Sequence, residues 1–345
     1  MIQLIIDGKT ITARPEETIL QVAERNDIRI PTLCYLKKMS PIGSCRMCMV
    51  EVDGADKPLA ACATPVAEGM NIRTDTERIR ELRKTALRLL LVNHKLNCHV
   101  CEASGACALQ DLAFEYGVED HGYGEIILEH ANEPYATPLI EYHPDKCVLC
   151  LRCVHACKEV KGVEALSIGL KGSLARVKGN QERCISCGEC LHVCPVGALT
   201  QKVTENPARL HQMEKVRTTC SYCGVGCQLE LRVWEGKVWG VTTDDEIPPN
   251  HGSLCVKGKF GFDFIDHPDR LKTPLIKENG AFREATWEEA FTFAARKLEE
   301  IKTANGPDSI MGFSSARCSN EENYLFQKFM RAVIGTNNVD HCARL

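Results

Sequence analysis

The run Cys147-x2-Cys150-x2-Cys153-x3-Cys157 recurs as Cys184-x2-Cys187-x2-Cys190-x3-Cys194. Three further groups are Cys34-x10-Cys45-x2-Cys48-x13-Cys62, His94-x3-Cys98-x2-Cys101-x5-Cys107 and Cys220-x2-Cys223-x3-Cys227-x27-Cys255. Of the 21 cysteines, 19 fall in these groups, and with His94 they make five sets of four soft ligands. Four such ligands gathered on loops can hold an iron–sulfur cluster or a zinc ion. Disulfide scaffolds are the other use of dense cysteine, but they belong to short secreted chains. Here Met1–Lys9 has no basic region before an apolar core and no twin arginine. The chain therefore reads as cytoplasmic, where spaced cysteines bind metal. Cys318, Cys342 and the other ten histidines read as ordinary packing or surface residues.

The repeat resembles the bacterial two-cluster ferredoxins, in which the fourth cysteine of each run serves the other cluster. That resemblance assigns Cys147, Cys150, Cys153 and Cys194 to one [4Fe–4S] centre and Cys184, Cys187, Cys190 and Cys157 to the other. Pro195 follows the second run as expected, whereas Lys158 stands in that place after the first. The Cys34, Cys45, Cys48, Cys62 group departs from the plant-type ferredoxin spacing. It resembles the [2Fe–2S] domain that opens iron hydrogenases and the large iron–sulfur subunit of respiratory NADH dehydrogenases. The His94, Cys98, Cys101, Cys107 group resembles the [4Fe–4S] site of the same families. There an imidazole in place of a thiolate removes negative charge and raises the potential. Cys220, Cys223, Cys227 and Cys255 resemble the [4Fe–4S] domain of molybdopterin-dependent oxidoreductases. Lys257 matches the lysine that lies between that cluster and the pterin.

These ligands need elements to carry them. Leu4, Ile6 and Ile11 flank an Asp7-Gly8 turn, a hairpin signal. Glu16 to Arg25 reads as a short helix ended before Pro31. Residues 77–93 read as an amphipathic helix with Ile79, Leu82, Ala86, Leu89 and Leu90 on one face and a Thr74/Glu77 capping box, ending at His94. Residues 118–140 read as a connector and 202–216 as a polar linker. Short strands such as Leu229–Val233 frame the Cys220 group. From 285 the pattern turns α/β. Thr286 and Glu289 cap a helix with Trp287, Ala290, Phe291, Ala294 and Leu298 on one face; Ile310–Phe313 reads as a strand; Ser319 and Glu322 cap a helix to about Ile334.

The order of the modules, with Asn320–Tyr324, Gln327–Phe329, Gly335–Asp340 and Cys342–Arg344, resembles the α subunit of cytoplasmic NAD(P)-linked or electron-bifurcating formate dehydrogenases. The resemblance implies an α+β multidomain chain: a β-grasp [2Fe–2S] domain (1–76), a helical His-ligated [4Fe–4S] domain (77–117), a two-[4Fe–4S] ferredoxin domain (138–206), a molybdopterin-oxidoreductase [4Fe–4S] domain (213–270) and an incomplete α/β fragment (271–345). It implies one [2Fe–2S] and four [4Fe–4S] clusters, and a molybdenum or tungsten bis-pterin guanine dinucleotide in the full-length protein. The implied partners are flavin/NAD(P)-binding iron–sulfur subunits, a ferredoxin or a hydrogenase. Electrons would enter at the Cys220 centre, cross the two ferredoxin clusters and leave by the His94 and Cys34 centres.

In that family the last segment runs directly into the selenocysteine or cysteine that binds molybdenum. Leu345 would then be the residue before it, as if an in-frame UGA had been read as a stop. On this reading the chain holds no catalytic residue of its own. The rival reading is a stand-alone relay subunit of hydrogenase or NADH dehydrogenase type. A net charge of −4 offers no basic face for nucleic acid, and no apolar stretch approaches the roughly 18–20 residues of a membrane span.

Overall fold

The computed structural model describes residues 1–124, 137–170, 172, 175–202 and 207–342. The expected connector (118–140), the linker (202–216) and the Cys342–Arg344 segment lie partly outside the described residues, and Leu345 lies wholly outside them. The chain forms two compact units, Met1–Glu214 and Lys215–Leu345.

In the first unit, strands β1 (Ile2–Ile6) and β2 (Lys9–Ala13) pair antiparallel around the Asp7-Gly8 turn. Both turn residues have positive φ, 48° and 80°, as a two-residue hairpin turn requires. Helix α1 is Ile19–Arg25. It starts later than expected because Thr18 is the N-cap and shares a capping box with Gln21. The chain then gives β3 (Met49–Val52), β4 (Leu59–Ala60) and β5 (Asn71–Arg73). The five strands form one sheet in the order β2-β1-β5-β3-β4, with β1 and β5 parallel. Alternate residues such as Leu4, Ile6, Ile11, Val50 and Ile72 pack against Ile19, Leu20, Val22 and Ala23 of α1, and Cys48 and Cys62 sit in the same core.

Helix α2 is Glu77–Leu91. Its N-cap is Thr76, not Thr74, and the Thr76 hydroxyl accepts from the Ile79 amide at 3.2 Å. Thr74 spends its hydroxyl and amide on the Asp7 carboxylate instead. The buried face also differs from expectation. It runs Ile79, Arg83, Leu87, Leu91, at a spacing of one turn, and leaves Leu82 and Leu89 exposed. Hydrogen bonds make the burial of Arg83 tolerable. Its Nε donates to Met47 O and its Nη2 to Met49 O and Thr74 O, each at 2.9 Å, and its Nη1 to the Tyr116 hydroxyl at 3.1 Å. Tyr116 ends helix α3 (Ala108–Tyr116), which Gly117 terminates in the left-handed conformation.

The cysteine repeat folds as two similar halves. Strand β6 is Ile140–Tyr142, helix α4 is Arg152–His155, and a π segment continues over Ala156–Val160. Strands β7 (Leu166–Gly169) and β8 (Arg176–Gly179) form a hairpin. Helix α5 is Glu189–Val193, and β9 (Leu199–Gln201) returns to pair antiparallel with β6.

In the second unit, β10 (Glu214–Thr219), β11 (Gln228–Trp234) and β12 (Lys237–Thr242) make a three-stranded sheet, followed by the short helix α6 (Val256–Phe260). A hairpin of β13 (Leu275–Glu278) and β14 (Ala281–Glu284) precedes α7 (Trp287–Asn305). Thr286 and Glu289 form the expected capping box there, and Ser319 and Glu322 do the same for α8 (Asn320–Lys328), which passes into a π segment, Phe329–Ile334. Between them, β15 is Gly312–Ser314, shifted from the expected Ile310–Phe313, and it pairs in parallel with β16 (Val339–His341). The expected apolar face of α7 is uncovered: Trp287 and Phe291 are both exposed. Among the described residues, no helix is long and apolar enough to cross a membrane.

Candidate iron–sulfur centres

The Cys34 group gathers as two touching pairs. The Cys45 thiol hydrogen-bonds the Cys34 sulfur, pulling Cys34 well below the usual thiol range and Cys45 above it. Cys62 does the same to Cys48, and Cys62 in turn feels Cys34 and Cys45 electrostatically. Cys34, Cys45, Cys48 and Cys62 are all buried. Gly43 and Arg46 both have positive φ, 68° and 58°, which turns the backbone sharply around the pairs.

The two repeat runs share one backbone conformation. Leu149 and Leu151 have φ of 51° and 63°, and the equivalent Ser186 and Gly188 have 51° and 76°. Alternating right- and left-handed residues aim successive amide hydrogens into one hollow, a common cradle for phosphate and iron–sulfur groups. Leucine in that region carries strain of order 1 kcal/mol or more, which persists only where the surroundings hold it. A small cavity is lined by Cys184, Cys187 and Cys190 together with Cys157 of the other run. Cys194 in turn acts electrostatically on Cys150 and Cys153. The π segment, which spacing alone did not reveal, widens the turn that carries Cys157 across. Burial pushes Cys150 up to about 12 and Cys153 well above the ordinary thiol range. Such thiols are costly to ionise unless an iron takes the charge.

His94 lies just past α2 and is mostly buried. Its Nδ1 is 2.9 Å from Lys146 O, so it carries the proton and leaves Nε2 as a free lone pair. Burial holds His94 below the usual histidine range. An open hollow is lined by His94, Cys98 and Cys107, among others. Cys101 packs against Gly197, where an added Cβ would stand 2.7 Å from its sulfur.

In the second unit, Cys220, Cys223, Cys227 and Cys255 act on one another electrostatically. Cys220 and Cys227 pack on Leu229, Val241 and Leu254. Beside them is an open hollow lined by Cys220, Tyr222, Lys257 and Phe264, among others. Lys257 is exposed, and the buried Gly258 packs beside the Cys220 sulfur. Of the two remaining cysteines, Cys342 contacts the Ser315 hydroxyl, and Cys318 O accepts from Asn323 Nδ2 at 3.3 Å. Among the described residues, no three His, Cys, Asp or Glu side chains close around a single-ion position.

Sequence reasoning missed the contacts of the loop between Cys34 and Cys45. Arg152 Nη2 donates to Tyr35 O at 2.6 Å, and Ser44 Oγ donates to Cys150 O at 3.4 Å. Lys38 Nζ meets the buried Glu189 carboxylate at 2.7 Å, and the Ser40 amide donates to Glu159. The ten-residue spacer is thus the surface by which the first sheet rests on the repeat.

Residues 1–77 match the family described as 2Fe-2S iron-sulfur cluster binding domain. Residues 83–121 match the NADH-ubiquinone oxidoreductase-G iron-sulfur binding region, and 177–200 the 4Fe-4S binding domain. Residues 213–267 match the molybdopterin oxidoreductase Fe4S4 domain, and 270–345 molybdopterin oxidoreductase itself. The chain thus combines segments that match 2Fe-2S, 4Fe-4S and molybdopterin oxidoreductase domains.

Among curated relatives, the NADPH-Fe(3+) oxidoreductase subunit alpha of Geobacter sulfurreducens is 42% identical over 100% of this chain and 40% of its own length. An NADH-quinone oxidoreductase subunit of Rhizobium meliloti is 39% identical over 100% and 40%. A putative formate dehydrogenase of Staphylococcus aureus is 33% identical over 98% and 39%. The chain thus spans about 40% of the length of these relatives. Among solved structures, an NAD+-reducing [NiFe]-hydrogenase in the H2-reduced state matches with a TM-score of 0.55 and 29% identity, over 61% of this chain and 91% of that one.

Proposed function

We propose that this chain is the iron–sulfur relay portion of a formate dehydrogenase α subunit, joining a molybdenum- or tungsten-pterin site for formate and CO2 to an NAD(P)- and flavin-binding partner subunit in the cytoplasm. The observation that carries the relay is the cavity where Cys157 joins Cys184, Cys187 and Cys190. Two runs that exchange their fourth ligand suit a pair of neighbouring [4Fe–4S] clusters.

When bound, each cluster supplies a site that takes up or gives back one electron. The chain's residues hold and tune these sites. Cys34 with Cys45 would bind one iron of the [2Fe–2S] centre, and Cys48 with Cys62 the other, as their contacts pair them. Cys147, Cys150, Cys153 and Cys194 would hold one [4Fe–4S] centre. Cys184, Cys187, Cys190 and Cys157 would hold the next. His94, through Nε2, would join Cys98, Cys101 and Cys107, with Lys146 O fixing the ring. Cys220, Cys223, Cys227 and Cys255 would hold the centre nearest the pterin, with Lys257 between the two. The left-handed residues in each repeat run would turn backbone amides toward the sulfides of a bound cluster, and burial of the cysteines would limit the access of water.

Two of the relatives are named for NADPH-Fe(3+) and NADH-quinone reactions, which favours a second reading. In it the same residues serve an NAD(P)H-linked oxidoreductase with no role for formate. The test has two stages. The 345-residue chain, loaded anaerobically with iron and sulfide, is expected to hold about 18 iron atoms, from one two-iron and four four-iron centres. EPR is expected to show one [2Fe–2S] signal and several [4Fe–4S] signals. The chain alone is expected not to reduce a dye with formate, whereas the holoenzyme is. A holoenzyme that reduces dye with NAD(P)H but never with formate supports the second reading.

A further inference from the structure

Arg152 lies on α4 between Cys150 and Cys153, yet its guanidinium reaches the other cysteine loop, donating from Nη2 to Tyr35 O at 2.6 Å. Its Nε is buried and has no hydrogen-bond partner among the described residues. The thiols that act on it electrostatically come from both groups: Cys150 and Cys194 from one, Cys34 and Cys45 from the other. Ser44 Oγ bonds Cys150 O at 3.4 Å on the same seam. The Arg152 Nε–H meets no oxygen, nitrogen or sulfur acceptor among the described residues, so the guanidinium stands partly unpaired within electrostatic reach of four thiols.

We propose that Arg152 is a positioning residue shared by two centres: it fastens the Cys34–Cys45 loop to the Cys147–Cys153 run and holds one positive charge between the thiolates of both. This rests on the cluster assignment made above. A fixed cation favours the reduced, more negative state of each centre, so it raises the two potentials together. No atom or proton moves in this role. The two centres whose thiols face Arg152 are therefore tuned as a pair, and the other three are not.

Redox titration by EPR of the cluster-loaded chain tests this, comparing wild type with Arg152→Gln and Arg152→Lys. With Arg152→Gln the reduction equilibrium constants of the [2Fe–2S] signal and of one [4Fe–4S] signal are expected to fall about tenfold, which is about 59 mV for one electron. The other signals are expected to stay in place, and Arg152→Lys is expected to recover most of both shifts. Potentials unchanged in Arg152→Gln, or all signals moving alike, would overturn the proposal. If Arg152→Gln loses iron, the content decides: loss confined to these two centres supports the fastening role, and loss from all five overturns it. A wild-type chain that takes up no clusters would instead refute the assignment beneath it, before any variant is compared.

Discussion

Arg83→Met removes a buried guanidinium while keeping most of its volume. In the structure that guanidinium satisfies Met47 O, Met49 O and Thr74 O, and the bonds to Met47 and Thr74 are fully buried. A buried acceptor left unpaired costs about 1–3 kcal/mol. Two of them cost about 2–6 kcal/mol, and removing a cation from a buried place returns part of that. A net loss of about 3 kcal/mol is expected, which is about a hundredfold in the local opening equilibrium. Hydrogen exchange on the cluster-loaded chain reads this directly. The Ala61 amide, bonded to Cys48 O at 3.0 Å, is expected to exchange about a hundred times faster. Arg80→Met is the control, because Arg80 pairs with Asp75 at the surface, and no change at Ala61 is expected. A less than fivefold change in Arg83→Met, or an equal change in both variants, would show that the guanidinium does not hold the Cys45–Cys48 loop.

Gly197→Ala places a methyl 2.7 Å from the Cys101 sulfur and 3.3 Å from the Ala103 Cβ. Loss of one [4Fe–4S] equivalent of iron is expected with the other EPR signals intact; full iron content would refute the placement of Cys101. Glu189→Gln strips the charge that faces Lys38 at 2.7 Å and Lys161 at 3.4 Å, with the carboxylate only 1% exposed. Breaking a buried ion pair costs about 3–5 kcal/mol, and cleavage of the 36–44 loop by protease is expected to speed up accordingly. An unchanged cleavage rate would remove the pair from the docking of that loop.

Local signals were legible in the sequence. The Asp7-Gly8 hairpin and the capping boxes at Thr286 and Ser319 depend on residues a few positions apart, and the structure has them where expected. Signals set by distant partners were not. Thr74 and Thr76 are equivalent as cap candidates until Asp7, far off in sequence, claims Thr74. The inner face of α2 was misjudged because an arginine lies on it, and apolar counting passes over Arg83. The β15–β16 pairing escaped notice because both strands are three residues long. At the candidate centres the ligand types and spacings stood out, because few residue patterns suit clusters. The seam of Arg152, Lys38 and Ser44 did not, since lone charged and hydroxyl residues are common on any surface.

The exchange of Cys157 into the cavity of the later run also bears on how the protein is made. While the chain is being synthesised, Cys147, Cys150 and Cys153 emerge well before Cys194, and Cys157 waits for Cys184 to Cys190. Under the proposed ligand sets, neither repeat site is complete on a half-made chain. A cluster donor arriving before the later run would find at most three thiolates and an open corner, so under these sets loading waits until the run through Cys194 has emerged. The same interlocking means that cutting the repeat between its halves leaves no working half.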